Sequence, residues 1–173
     1  MNVKHARQQG STLVISLMIL IVMTLIGLTG IASSTLEEKM AGNTRDQAVA
    51  FQAAEAALRN GENYYDAIVS PAAAFDGSNP GLYDIGDLPD VNDNNTWDTA
   101  RTYTGDIAGV KEKPKYIVEL LGEIGDTTDD LNVSGYGEST GLGSVTAARI
   151  TARAVGGSNS TVVMLQSNFA KRF

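Results

Sequence analysis

The sequence predicts an α+β protein in which one long N-terminal helix packs on a small antiparallel sheet. Three observations lead to this prediction. Residues 12–32 form an uncharged apolar stretch, and residues 33–69 continue with apolar side chains at helical spacing. Three later segments predict strands: 115–121 and 148–155 alternate apolar and other side chains in the manner of half-buried strands, and 161–169 is apolar at its centre.

The uncharged stretch is long enough to cross a membrane. As a helix, its 21 residues would span about 30 Å, the thickness of the hydrocarbon core of a bilayer. Lys4 and Arg7 precede it, and basic residues tend to stay in the cytoplasm. We therefore expect residues 1–10 in the cytoplasm and residues 33–173 outside the inner membrane. An ordinary single-pass anchor fits the same pattern, whereas a secretory signal cut near Ala32 would be unusually long.

The helix is expected to run from residue 12 to residue 68. Gly42 is a weak point, because glycine inside a helix costs about 1 kcal/mol relative to alanine. Thr44 and Gln47 match a capping box, so a second helix could begin there, but we expect one helix, bent or loosened near residue 42. The predicted apolar stripe of its second half consists of Leu36, Met40, Ala48, Phe51, Ala54, Leu58, Tyr65 and Ile68.

Composition excludes several kinds of function. Twenty acidic residues against 13 basic ones give a formal net charge of −7, which disfavours nucleic-acid binding. The chain has no cysteine, and its single histidine, His5, lies in the basic leader. Without that leader, histidine-based triads and histidine metal sites are excluded. We expect a protein that is not an enzyme and that needs no cofactor.

Residues 70–173 are expected to form a small head. Residues 70–110 are rich in glycine, proline, asparagine and aspartate, which predicts a long ordered loop or two short turns of helix, with Trp97 packed beneath the loop. Glycine and serine at 156–160 predict a hairpin between the last two strands. The centre of 161–169 is apolar on both faces, and 122–146 is predicted to be mostly loop.

Two motifs resemble catalytic or metal sites. Gly137-Glu138-Ser139-Thr140-Gly141 matches a nucleophile elbow, but a base is lacking. A second segment imitates the start of a calcium loop, although Asn95 stands where glycine belongs and Arg101 where the bidentate glutamate belongs. Its weak ligand candidates are Asp90, Asn92, Asn94 and Asp98, with Asp84 and Asp87 nearby and a second acidic cluster at Asp126, Asp129 and Asp130.

Residues 7–62 carry a family resemblance. A basic leader ends in Gly10, an apolar helix follows at once, and the blocks Glu37–Asn43, Arg45-Asp46 and Ala50–Arg59 come in order. This arrangement resembles the PilX family of type IV pilus minor pilins. The resemblance implies the type IV pilin fold, removal of residues 1–10 by prepilin peptidase after Gly10, and methylation of Ser11 as the new N-terminus.

The resemblance also implies partners and a location. The chain would wait in the inner membrane and then join a fimbrium that serves cell adhesion and twitching motility. Its partners would be other minor pilins, the major pilin and the inner-membrane assembly platform. The usual glutamate five residues after the cut is replaced by Ile15, which suggests a tip or priming position. The residues expected to act in assembly are Ile15, Glu37, Glu38, Met40, Gly42, Asn43, Phe51, Glu55 and Leu58.

Two alternatives remain at this point. A minor pseudopilin of a type II secretion system would share every membrane feature, including the missing glutamate. A membrane-anchored periplasmic binding domain or hydrolase would instead keep the bond between Gly10 and Ser11 intact.

Overall fold

The computed structural model describes residues 11–124 and 145–173. Gly10, the motif at 137–141 and the acidic cluster at 126–130 lie outside the described residues. The chain divides into two compact units, one up to Thr44 and one from Arg45 to Phe173. In chain order the elements are helix α1 (Ser11–Ala67), helix α2 (Pro71–Ala74), strand β1 (Leu82–Tyr83), a 3₁₀ turn (Asn94–Trp97), and strands β2 (Arg101–Thr102), β3 (Lys115–Ile124), β4 (Val145–Val155) and β5 (Val162–Arg172).

Helix α1 is one continuous element, as the sequence predicted. Gly42 is helical, so the expected loosening at this residue is absent. The hydroxyl of Thr44 donates to the carbonyl of Met40 at 2.9 Å, so it does not cap a second helix. The capping-box alternative is therefore wrong. The cost of one glycine, about 1 kcal/mol, is too small to break a helix that continues on both sides.

The sheet is mixed rather than purely antiparallel. Strands β3, β4 and β5 form an antiparallel meander, and β2 adds an antiparallel pair to β3. Strand β1, however, lies parallel to β3, beginning with the pair Leu82 and Val118. The sequence could not reveal β1 or β2, because a strand of two residues has no measurable periodicity.

The helix contacts the sheet through small residues. The fully buried positions are Ala50, Ala53, Ala54, Ala57, Gly61 and Tyr65. The predicted stripe was therefore wrong in part, because Phe51 and Met40 keep 49% and 53% of their surface exposed. Small side chains allow the helix backbone to approach the sheet closely, and at Gly61 an added Cβ would lie 2.7 Å from the Cγ2 of Ile150. Hydrophobic periodicity alone scores large residues above small ones and so selected a neighbouring face.

An aromatic cluster closes the core at the end of α1. The ring of Tyr65 makes edge contacts with Phe75, Phe169 and Phe173. Its hydroxyl donates to the carbonyl of Thr146 at 2.9 Å, and burial raises the pKa of Tyr65 to about 12. The residue thus ties the helix to β4.

Strand β5 alternates in exposure along its whole length. Val163 and Leu165 pack against the small buried cluster of Ala53, Ala54 and Ala154, whereas Met164 faces outward. The apolar centre of β5 is therefore not buried on both faces.

The hairpin between β4 and β5 was predicted correctly: the amide of Gly156 donates to the carbonyl of Thr161 at 2.9 Å.

Candidate assembly surfaces

The first half of α1 presents an apolar surface that no other described residue covers. Every large apolar side chain from Leu13 to Ile31 keeps between 49% and 73% of its surface exposed. The helix is long and apolar enough to cross a membrane. A patch of this extent requires lipid or apolar partner surfaces, because water solvates it poorly.

The hydroxyl groups on this segment bond to their own helix. The Oγ of Ser16 donates to the carbonyl of Leu13 at 2.9 Å, and the Oγ1 of Thr24 donates to that of Ile21 at 2.8 Å. Thr29 donates to Ile26 in the same way at 2.8 Å. These groups therefore need no water, which suits them to a hydrocarbon environment.

The predicted assembly residues in the first unit are exposed. Ile15 is exposed within the apolar surface. The block from Glu37 to Asn43 is exposed throughout, and nothing lies within 4 Å of the position that a Cβ on Gly42 would take. Their side chains are thus available to neighbours outside the chain.

In the second unit the predicted assembly residues separate into two environments. Phe51 projects outward, whereas Leu58 packs against the main core cluster. Glu55 forms an ion pair with Arg59 one turn later. Leu58 is therefore a packing residue of the head, and Phe51 is the large apolar residue of this set that a neighbour could contact.

Asp46 is a structural residue that the sequence analysis did not single out. Its Oδ1 accepts the amide of Gly157 at 2.5 Å and its Oδ2 accepts that of Ser158 at 3.3 Å. The hydrogen bond from the Thr161 side chain is the largest influence on its pKa, which lies below 3.8. In the sequence, only the adjacent glycines of the hairpin could have indicated this role of Asp46. Glycine is needed there because an added Cβ at Gly156 would lie 2.6 Å from Oδ1.

Two of the weak calcium candidates, Asp90 and Asn94, accept hydrogen bonds from other groups of the protein. The Oδ1 of Asp90 accepts the amide of Asn92 at 2.9 Å, and the Oδ1 of Asn94 accepts the Nη2 of Arg153 at 2.8 Å. Asp98 is exposed at the end of the 3₁₀ turn. Within residues 11–124 and 145–173, no three acidic or histidine side chains gather as a metal site would require.

Trp97 packs beneath the loop, as predicted. Its indole N–H donates to the carbonyl of Val91 at 2.9 Å, and its own carbonyl accepts the Nζ of Lys115 at 2.8 Å. The ring is buried, and the guanidinium of Arg153 lies 5.7 Å from its centroid. Trp97 thus fastens the loop to the strands that carry Lys115 and Arg153.

Comparison with known families covers both halves of the chain. The family model described as PilX N-terminal matches residues 9–59, and the model described as Type IV pilus assembly protein PilX C-term matches residues 70–171. The chain belongs to the PilX family. No curated protein and no solved structure matches it.

Membership of the PilX family confirms the resemblance and makes this chain a minor pilin of type IV pilus assembly. The description of the C-terminal match names the type IV pilus, which favours a pilus protein over a type II secretion protein and over an unrelated anchored domain. A PilX-family protein is a structural component that interacts with other parts of the pilus. The exposed apolar helix agrees with membrane anchoring before that association.

Proposed function

We propose that this minor pilin primes pilus assembly from a tip complex with other minor pilins. The observation that carries the proposal is Ile15, which lies exposed in an apolar helix surface. In the pilins that this chain resembles, a glutamate at that position is thought to meet the N-terminal amine of the neighbouring subunit. A buried charge without a partner costs several kcal/mol.

A subunit with Ile15 supplies no acceptor for that amine. It would therefore leave the amine of one neighbour uncompensated wherever it were placed along the shaft. At the tip a subunit has neighbours on one side only, so the missing acceptor carries no cost there. The exposed surfaces at Met40 and Phe51 would supply contacts to neighbouring pilins.

The same proposal includes processing and location. Prepilin peptidase would cut after Gly10, and the amine of Ser11 would be methylated. The chain would then wait in the inner membrane, contact the assembly platform and enter the fibre. This step can be tested by determining the N-terminus and mass of the protein from membranes, with and without the peptidase. A chain that starts at Ser11 and is one methyl group heavier, only with the peptidase, is expected; an intact leader or a start near residue 33 would contradict it.

The priming role is tested by Ile15→Glu, with Ile15→Leu as the matched control. Glutamate would give the subunit the acceptor of a shaft pilin, so we expect fewer pili and immunogold label along the shaft. Leucine preserves the apolar surface, so pilus number and label position should stay those of the parent. If Ile15→Glu leaves both unchanged, position 15 does not determine where the subunit sits.

A further inference from the structure

A cleft with both apolar and polar lining opens on the head between α1, β2 and the turn at Pro80. Its volume is about 460 Å³, within the range of about 300–1,000 Å³ typical of small-molecule sites. The residues that line it include Asn60, Asn63, Tyr64, Arg101, Thr104 and Tyr116. All of them belong to the unit from Arg45 to Phe173, and none is among the residues expected to act in assembly.

Arg101 is held in a defined position in this cleft. Its Cζ lies 3.9 Å from the centroid of the Tyr64 ring, and its Nη1 donates to the carbonyl of Pro80 at 3.4 Å. The ring of Tyr116, which is only 3% exposed, also lines the cleft. Contacts on several sides reduce the conformational entropy that the guanidinium would lose on binding a ligand.

Gly81 contributes to this arrangement through its bare backbone. A Cβ there would lie 2.7 Å from the Cγ of Arg101, and its φ of +76° is one that other residues rarely adopt. The turn therefore has to carry glycine for the stem of Arg101 to lie where it does.

The guanidinium lacks an acidic partner among the residues that the structure describes. The ion pairs found there use Arg59, Lys113, Arg149 and Lys171. The chain as a whole carries seven more acidic than basic residues. Carboxylates that could have paired with Arg101 are therefore numerous in the sequence. Arg101 stacks on a ring and pairs with no carboxylate of the described residues, so the N–H groups that it does not use toward Pro80 can donate to an external carboxylate.

The rest of the lining is uncharged and combines apolar surface from Tyr64, Pro80 and Tyr116 with polar side chains. The amides of Asn60 and Asn63 and the hydroxyl of Thr104 can each donate and accept hydrogen bonds. Neighbouring hydroxyl groups on a sugar ring require such two-way partners, whereas an acidic peptide would gain more from a second cation. Among the residues that the structure describes, none that lines the cleft is acidic.

We propose that this cleft binds a carboxylated sugar. Arg101 receives the carboxylate, and Asn60, Asn63 and Thr104 bond the ring hydroxyls. Tyr64 and Tyr116 line the cleft together with the guanidinium. This inference does not rest on the tip or priming role, because it concerns a different surface of the head.

Binding is tested with the full chain in a detergent that has no sugar headgroup. Titration calorimetry with D-glucuronate as the probe should show saturable binding, and D-glucose should bind more weakly. Arg101→Gln should weaken glucuronate binding about tenfold to a hundredfold, the usual effect of losing a charge-assisted hydrogen bond. Arg101→Lys should recover part of the loss, since it keeps the charge without the fork.

Arg153→Gln is the matched control, because Arg153 is also half-buried beside an aromatic ring but lies outside the cleft. It should bind glucuronate as the parent does. Trp97 fluorescence verifies that each variant is folded, and Asn63→Ala, at an exposed position, provides a second cleft variant without disturbing the core.

Three results would overturn the proposal. One is the absence of saturable glucuronate binding, and another is equal binding by the parent, Arg101→Gln and Asn63→Ala. The third is equal or tighter binding of a short glutamate-rich peptide with the same dependence on Arg101, which would make this a docking site for a protein carboxylate.

Discussion

The Oδ1 of Asp46 lies 2.5 Å from the amide nitrogen of Gly157, a residue 111 positions later in the chain. This contact joins α1 to the hairpin between β4 and β5. The approach requires glycine at the neighbouring position, because a Cβ on Gly156 would meet the same oxygen at 2.6 Å. The carboxylate and the bare hairpin backbone therefore form one structural unit.

Removal of the Asp46 charge should make the head less resistant to unfolding at neutral pH. Hydrogen bonds to the carboxylate, first from Thr161 and then from Gly157 and Ser158, hold its pKa below 3.8. A lowered pKa stabilises the folded state at pH values above that of the unfolded chain, and the contribution is lost as the pH falls through the folded pKa. Urea unfolding of parent and Asp46→Asn, followed by Trp97 fluorescence, should differ at pH 7 and converge toward pH 3.

Asp87→Asn is the control for this experiment, because Asp87 is an exposed aspartate on the same head. It should leave the urea midpoint close to that of the parent at both pH values. A difference between Asp46→Asn and the parent that stays constant from pH 7 to pH 3 would contradict the role of the charge.

Gly61→Ala should destabilise the head although alanine favours helix. The added methyl would lie 2.7 Å from the Cγ2 of Ile150 and 3.0 Å from the Cδ2 of Tyr116. Overpacking of this kind costs about 1–3 kcal/mol. Gly42→Ala is the matched control: nothing lies within 4 Å of its Cβ, so the urea midpoint of the head should not fall. Equal midpoints for the two variants would mean that the helix does not approach the sheet this closely.

Tyr65→Phe should cost about 1–2 kcal/mol of unfolding free energy, since it leaves a buried carbonyl without this donor. The bond that is lost joins the Tyr65 hydroxyl to Thr146 at 2.9 Å. Tyr83→Phe removes a hydroxyl that contacts Thr99 at the same distance but at the surface, so its effect should be smaller. Denaturant unfolding of both variants measures the difference, and the reverse order would refute the assigned role of Tyr65.

Lys171→Gln should weaken the attachment of β5 to the end of α1. The Nζ of Lys171 donates to the carbonyl of Ile68 at 2.9 Å and to that of Asp66. A cation beside unpaired carbonyls at a helix C-terminus contributes about 0.5–2 kcal/mol. Lys113→Gln, which breaks the exposed pair with Asp106, should cost less in thermal unfolding. A Tm lowered more by Lys113→Gln than by Lys171→Gln would count against this assignment.

Patterns that repeat over many consecutive residues of the sequence were sufficient to predict the main elements. The uncharged stretch and its continuation predicted one helix, and α1 runs from Ser11 to Ala67. Alternation predicted three strands, which overlap β3, β4 and β5. The same signals failed where an element is short or its buried face is made of small residues. Strand β1 has two residues, and the face at Ala53 and Gly61 carries little apolar side-chain surface.

The residues expected to act in assembly show the same division. Sequence blocks placed Phe51 and Leu58 in one signature, yet one projects outward and the other packs into the core. Asp46 stood in that signature without an evident task, because its partners lie beyond position 156. No local pattern connects residues so far apart.

By itself the sequence determined a charge-free helix that needs an apolar environment, a head of alternating strands, and the ordered blocks shared with the PilX family. These properties depend on residues a few positions apart in the chain, and the periodicity and charge of such short stretches can be seen directly in the sequence. The tertiary structure alone decided which helix face approaches the sheet, how Asp46 holds the hairpin, and how Arg101 came to lie on Tyr64 beside Pro80. Those contacts depend on the path of the chain, which brings together residues whose spacing in sequence carries no signal.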